Sequence, residues 1–507
     1  MDRSQAEALA AALPQQPPAT AFAQGMRLLT GGYPEVLLPP AQALAKRFRT
    51  DPRMAQMLGL AARAAGEAAL AHHAFREAAA LAPHDPLIAH SLARTALEAG
   101  RPASALFAAA QRLAPGDGAV VQGLAAALAA EHRAPEGIAL LAGVLQGNPL
   151  WIDGHRSLAH LAGQYGGGPL AAIDGALAAQ PRSAELHRLK IATLLEARRS
   201  SAVPEAIAAA QRALGPQGWL DLFAAHAASE RGDLATAGRL FAAMPAPRNA
   251  EDAGLFARHF IKAARPEAAM AQIEPWLGRP GDETLWGYAA LAWRMAGDPR
   301  HDWLEGDGSL VGVYDLGDKI AALPGLASEL RALHTARAAP LDQSVRGGTQ
   351  TDGNLLLRDA PALAALRRLL LETVATHAAG LGPARPGHPT FIARRTPLRI
   401  AGSWSVRLTG AGFHADHVHP QGWFSSALYL ALPETLGPGG EGADRHAGWL
   451  SLGECRELAP ALPPIALIEP RPGRLVLFPS TMWHGTRPFP AGERLTVAFD
   501  IARPKQD

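Results

Sequence analysis

Through the first three hundred residues, Ala and Leu recur at helical spacing with Arg and Glu between them, and short Pro, Gly, Asn and Asp stretches break the pattern. The breaks are periodic: Pro83, Pro115, Pro149, Pro181 and Pro216 are separated by 32, 34, 32 and 35 residues. Ala71, Phe75 and Ala78 precede Pro83 at the offsets at which Ala103, Phe107 and Ala110 precede Pro115. A short helix pair of this composition buries little alone. The pattern therefore predicts stacked hairpins in which small residues let helices approach and one Phe or Leu fills the gap to the next pair. After Pro149 the Ala/Phe match loosens. From Gly232 to Asp298 helical spacing continues, with Trp276, Trp286 and Trp293, but the period is lost. An alanine-rich bundle without solenoid order is the plain alternative.

Near residue 300 the texture changes. HDWLEGDGSLVGVYDL mixes glycine with β-branched residues, a helical piece follows near Leu323–Ala336, and a polar, glycine-bearing segment runs from Asp342 to Leu356. The apolar stretch Ala360–Ala379 predicts a helix packed on a sheet. From Ile400 the pattern is strand-like in Ser403–Leu408, Trp423–Leu432, Gly448–Leu452, Gly473–Phe478 and Arg494–Ile501, bounded by Gly and Pro. That is enough for a small β-barrel or jelly roll.

Composition narrows the class. At 507 residues the chain exceeds one ordinary core, and 48% apolar against 19% charged residues predicts folded domains rather than disorder. The balance of 48 Lys+Arg against 46 Asp+Glu, with no long basic run, argues against nucleic acid as a partner. The single cysteine, Cys455, cannot form an internal disulfide and fits a reducing, cytoplasmic setting. The N-terminal stretch lacks the basic-then-apolar order of a signal peptide, and no window approaches the ~20 apolar residues that span a bilayer, so no membrane association is expected.

The chemistry concentrates in the β-rich region. His414-Ala415-Asp416-His417-Val418-His419 offers four potential metal ligands, His484 follows the strand GRLVLFPS, and Arg494-Leu495-Thr496 opens the last strand. A mononuclear iron site that leaves positions open for a bidentate keto acid and dioxygen needs two ligands from one strand face and a third from a distant segment. The keto acid's far carboxylate needs a fixed cation, which Arg494 can supply, and Thr496 points from the same strand face. Two ligand pairs compete: strand alternation sends His414/Asp416 and His417/His419 to opposite faces unless a bulge intervenes. Singly, each histidine reads as an ordinary core or surface residue, Arg494 as a surface charge, and Tyr429 and Trp404 as core aromatics. Arg346-Gly347-Gly348 reads as a turn.

The segments HVHPQGWFSSALYLALP and PRPGRLVLFPSTMWHGT, with the His484-to-Arg494 spacing, resemble iron(II)/2-oxoglutarate-dependent oxygenases. QSVRGGTQTDGN resembles a segment of versions fused to tetratricopeptide repeats, and the periodic prolines resemble those repeats themselves. The resemblance implies an α+β multidomain chain: an all-α tetratricopeptide-like solenoid over residues 1–300, then an oxygenase domain over 301–507 whose double-stranded β-helix (jelly-roll) core spans about 395–507. It implies Fe(II), 2-oxoglutarate and dioxygen as cofactor and cosubstrates, His417, His419 and His484 as metal ligands, and Arg494 and Thr496 on the cosubstrate carboxylate with Tyr429 facing it. A protein or peptide substrate, hydroxylated with release of succinate and carbon dioxide, is the usual chemistry of such relatives. The commoner ligand pair is His-x-Asp, so His-x-His exchanges an anionic ligand for a neutral one. Two other readings stand beside this one: a repeat scaffold for protein–protein interaction with a degenerate β-helix domain, and a three-histidine dioxygenase that needs no 2-oxoglutarate.

Overall fold

The computed structural model describes residues 1–436, 446–489 and 491–506. Antiparallel helix pairs run from Arg3 to Glu305 and pack each on the next. Their origin is local. Aspartates placed just before the helices Pro52–Ala64, Pro86–Glu98 and Gly118–Ala130 accept from the first free backbone amides, satisfying donors the helix cannot. Pro52 and Pro86 stand at the first helical position, where a missing N–H costs nothing. Ala71, Phe75, Ala78, Ala103, Phe107 and Ala110 are all buried, as their shared offsets require. The Phe107 ring lies where a Cβ on Gly123 would fall, only 2.2 Å from its Cε1 atom, so the phenyl packs directly on bare backbone. Beyond Pro216 the pairs continue through Gly218–Glu230, Leu234–Ala243, Ala250–Lys262, Pro266–Ile273 and Trp286–Ala296 without the proline period. Larger side chains replace the Ala/Phe rule there, with Phe241 packed against Phe256 and the Trp286 ring 6.4 Å from Trp293.

The carboxy-terminal part is an antiparallel two-sheet unit. Its strands are β1 (Gly312–Asp315), β2 (Val345–Gln350), β3 (Ile400–His414), β4 (Gly422–Ala431), β5 (Leu450–Leu452), β6 (Ala466–Ile468), β7 (Arg474–Pro479), β8 (His484–Thr486) and β9 (Glu493–Ala502). One sheet has the order β1-β7-β4-β9-β3-β2 and the other β6-β5-β8. The segment read from sequence as a polar loop and turn at Arg346-Gly347-Gly348 is instead an edge strand, with a register break between Arg346 and Gly348 and a left-handed Gly347 at φ +69°. Its polar composition hid it, because an edge strand half-open to solvent has no apolar alternation to show.

Strand β9 explains how the sheet serves two purposes. Leu495, Val497, Phe499 and Ile501 alternate onto one face and bury against Leu363, Leu366, Leu370 and Val374 of the helix Pro361–Gly380. Arg494, Thr496, Ala498 and Asp500 take the opposite face, toward the small sheet.

The array and the sheets share a core. Ala253, Ile261, Trp286, Trp293 and Leu304 bury together with Cys455, Leu458 and Trp483. Arg258 joins Glu230 of the array at 2.8 Å and Glu457 of the β region at 2.7 Å. No helix among the described residues is long and apolar enough to cross a membrane.

Candidate metal centre

Sequence reasoning placed the paired histidines on a strand; they lie just past one. Strand β3 ends at His414, and His417 makes a single antiparallel bridge with His484, each backbone amide donating to the other's carbonyl at 2.9 Å. His419 is tied by its amide to the Ser480 carbonyl at 2.8 Å. These backbone bonds hold both ligand-bearing segments side by side. The imidazole centroids are 4.2 Å apart for His417 and His484, 4.9 Å for His417 and His419, and 5.1 Å for His419 and His484. One ring nitrogen from each lies within 4.8 Å of the others.

The second ring nitrogen of each histidine is committed elsewhere. His417 Nδ1 meets the Ala415 carbonyl at 2.8 Å, His484 Nδ1 the Met482 carbonyl at 3.0 Å, and His419 Nδ1 the Asp500 carboxylate at 2.6 Å. Acceptors on Nδ1 require the proton there, which leaves a lone pair on each Nε2, that of His417 lying 3.2 Å from Ser344 Oγ. Burial pushes His417 and His484 well below the ordinary imidazole range, and neighbouring imidazoles act the same way. Both rings are thus neutral donors at physiological pH. The donor set fits a divalent transition metal: three imidazole nitrogens, each held by an outer partner, in the pattern that orients metal-binding histidines.

The competing pair is drawn apart. Asp416 accepts from Arg456 Nε at 2.8 Å and from its backbone amide at 2.8 Å, so the carboxylate is spent on a buried ion pair. His414 remains near, its ring centroid 6.2 Å from His417 and its Nδ1 3.1 Å from Ser344 Oγ.

Arg494 is buried on the same cavity wall as the three histidines. Its Nη1 donates to the Gly448 carbonyl at 3.0 Å, its Nε has no partner, and among the described residues no carboxylate pairs with it. Burial pulls its pKa below the usual guanidinium range. Thr496 lines the same wall. Tyr429 is buried opposite Thr496 on the neighbouring strand, its ring 5.0 Å from the Arg494 guanidinium; burial raises its phenol while Arg494 pulls the other way. Trp404, read from sequence as a core aromatic, lines the cavity with its ring 5.4 Å from His419. Gln343 and Gln350, bonded to each other at 3.3 Å, close the side formed by β2. Asp500 escaped sequence reasoning altogether. The signal was the period-two spacing from Arg494 and Thr496, which puts it on the same face.

Residues 402–500 match the model of the family described as "Putative 2OG-Fe(II) oxygenase". No curated protein sequence matches the chain. Solved structures similar to it include a Pseudomonas putida prolyl-4-hydroxylase, at 20% identity over 39% of this chain and 94% of that one with a TM-score of 0.25. HygX from Streptomyces hygroscopicus, with nickel and 2-oxoglutarate bound, is 14% identical over 38% of this chain and 82% of its own, with a TM-score of 0.26. A tetratricopeptide repeat protein from Parabacteroides merdae is 13% identical over 44% of this chain and 89% of its own, with a TM-score of 0.29. The family match therefore falls on the carboxy-terminal β region that carries the three histidines and Arg494, behind the helical repeats.

Proposed function

We propose that the chain is an iron(II)- and 2-oxoglutarate-dependent dioxygenase that hydroxylates a protein or peptide substrate recruited by its helical repeats. One observation carries the reading: three imidazoles converge beside a buried arginine that lacks a carboxylate partner among the described residues. A buried cation left unpaired is costly, so a site that keeps one is built for an anion that arrives from solution.

His417, His419 and His484 would hold the metal. Arg494 would take the distal carboxylate of 2-oxoglutarate in paired charge-assisted hydrogen bonds, and the Thr496 hydroxyl would donate to the same group. Tyr429, with its ring 5.0 Å from the guanidinium, would face the cosubstrate beside it. Trp404 and Phe478 present apolar faces to the cavity and exclude water from it. Iron(II), when bound with 2-oxoglutarate, supplies the reductive activation of dioxygen that is coupled to release of succinate and carbon dioxide and to substrate hydroxylation.

Recruitment by the repeats is supported by a cavity of about 600 Å³ walled by Gly123, Ala126, Gln122 and Ser157 of the array and by Leu333, Thr351 and Asp352. Gln350, at the end of β2, lines the histidine cavity, and its neighbour Thr351 lines this larger one.

The test is direct. Purified protein with ferrous iron in air should convert 2-oxoglutarate to succinate, and His484→Ala should abolish it. Neither binding nor turnover of 2-oxoglutarate by the wild type, with no change in His484→Ala, ends the proposal. The all-histidine donor set favours one second reading, a dioxygenase that uses no 2-oxoglutarate; there, replacing Arg494 would leave activity intact.

A further inference from the structure

Among the three histidines, His419 differs from its neighbours in what it leans on. His417 and His484 donate to backbone carbonyls, which are neutral. His419 Nδ1 meets a carboxylate, Asp500 Oδ2, at 2.6 Å. The carboxylate is itself held: Ser425 Oγ donates to Asp500 Oδ1 at 2.7 Å, and Ser480 Oγ lies 2.9 Å from Ser425 Oγ. Ser480 in turn takes the His419 backbone amide on its carbonyl. The loop bearing His419 and the strand bearing Asp500 are thereby closed into one ring of hydrogen bonds. Space is reserved for it, because a Cβ on Gly422 would fall 2.3 Å from Ser480 Oγ and 3.4 Å from Asp500 Cβ.

We infer that Asp500 is a positioning residue that supplies, one hydrogen bond beyond the metal, the negative charge that a His-x-Asp pair would place directly on it. The inference rests on the proposed metal role of His417, His419 and His484. Its logic is electrostatic. Three imidazoles leave a divalent ion with its full charge, and the only carboxylate in the adjacent sequence, Asp416, is committed to Arg456. A carboxylate accepting from Nδ1 raises the basicity of Nε2 and fixes the ring's tautomer and plane. Asp500 does this from strand β9, which also carries Arg494 and Thr496 on the same face. A single strand then sets both the cosubstrate anchor and the metal's charge.

The experiment uses the full chain and cobalt(II) as the probe, titrated in competition with a chelator, with near-ultraviolet circular dichroism to show that each variant keeps its tertiary packing. Asp500→Asn keeps an acceptor oxygen of nearly the same shape and removes the charge. Cobalt affinity is expected to fall about 10- to 100-fold, the usual cost of losing an outer partner of a metal-bound histidine. With iron bound, the ferric/ferrous potential is expected to become more positive, a change that a merely structural residue would not produce. Ser425→Ala loosens one carboxylate oxygen and leaves the charge, so the potential should stay where it was. If Asp500→Asn does not fold, Asp500→Glu decides: with the charge retained, affinity should remain within about threefold of the wild type, and a tenfold loss overturns the inference. An Asp500→Asn chain that is folded, binds cobalt as tightly as the wild type and keeps its potential overturns it too. A wild type that takes up no cobalt at all removes the metal reading itself, and the inference with it.

Discussion

Replacing Arg494 by Met should move stability and cosubstrate affinity in opposite directions. Without ligand, the guanidinium is buried, its Nε unpartnered, with one carbonyl bond to Gly448 at 3.0 Å and the Tyr429 ring at 5.0 Å. An ion withdrawn from water carries an effective penalty of several kcal/mol. The carbonyl bond and the ring contact return about 2–4 kcal/mol between them. Substitution of buried ions by apolar residues of similar volume is commonly neutral or stabilising by about 1–4 kcal/mol, so the ligand-free variant is expected to melt at the wild-type temperature or above it. With 2-oxoglutarate present the balance reverses. Two charge-assisted hydrogen bonds at about 1.5–3 kcal/mol each disappear, a loss of about 3 kcal/mol or more and over a hundredfold in Kd. Thermal unfolding of the ligand-free chain and anaerobic calorimetry with 2-oxoglutarate, cobalt(II) standing in for iron, read the two effects separately. A variant that melts lower yet binds the keto acid as tightly as the wild type refutes both the unpaired-cation account and the assignment of the cavity.

Other perturbations test other parts of the chain. Burial pushes the Glu305 carboxyl up to about 7, with Arg294 acting against it, so the fold favours the protonated form. Its contribution, about 3 kcal/mol, is fully present below the ordinary carboxyl range and is lost as pH rises through 7. Glu305→Gln should therefore change the difference between the denaturation midpoints at pH 5 and pH 8, the wild type being favoured more at pH 5 than the variant is; an identical difference in the two chains would refute the assignment. Phe107→Ala, in the array, empties the space between two hairpins and should cost about 3–5 kcal/mol, read as a lower helix-unfolding midpoint; an unchanged midpoint would mean that the hairpins do not share that core. Gly287→Ala puts a methyl group 2.9 Å from Val418 Cγ1, 3.1 Å from Trp483 Nε1 and 3.2 Å from the Thr481 carbonyl. Overpacking of that kind costs about 1–3 kcal/mol, and cobalt affinity should fall with it; unchanged affinity in a destabilised chain would uncouple the array from the metal.

Much of this was written in the residue pattern, for reasons that differ by region. In the first hairpins Ala71, Phe75 and Ala78 do the same packing job as Ala103, Phe107 and Ala110, so a fixed geometry left a fixed spacing. Further along, aromatic pairs such as Phe241 and Phe256 fill the gaps, and the period vanishes while the helices persist. The strands β4, β7 and β9 were legible because each buries one face in the core under Pro361–Gly380, and β3 because Val406 and Leu408 bury with Val345 in a separate cluster. The short strands β1, β6 and β8 span only 4, 3 and 3 residues and carry too few alternations to be seen. At the site, the convergence of His417, His419 and His484 could be anticipated from motif and spacing, but the fate of Asp416 could not. Its partner Arg456 lies 40 residues away, and only folding decides which basic residue reaches it.

The relation between the two halves follows from where the ligand-bearing loops are anchored. Val418, between His417 and His419, and Trp483, next to His484, both pack into the core formed by the helices between Ala253 and Leu304. Trp483 donates its indole N–H to the Gly287 carbonyl at 2.8 Å, and the Tyr288 ring lies 5.9 Å from it. Backbone alternation then fixes the rest: with Val418 turned toward the array, His417 and His419 turn away from it, toward the cavity, and the same holds for Trp483 and His484. The last array hairpin therefore acts as the back wall of the proposed metal centre. The helices from Ala250 to Glu305 and the loops that bear the histidines thus share one core.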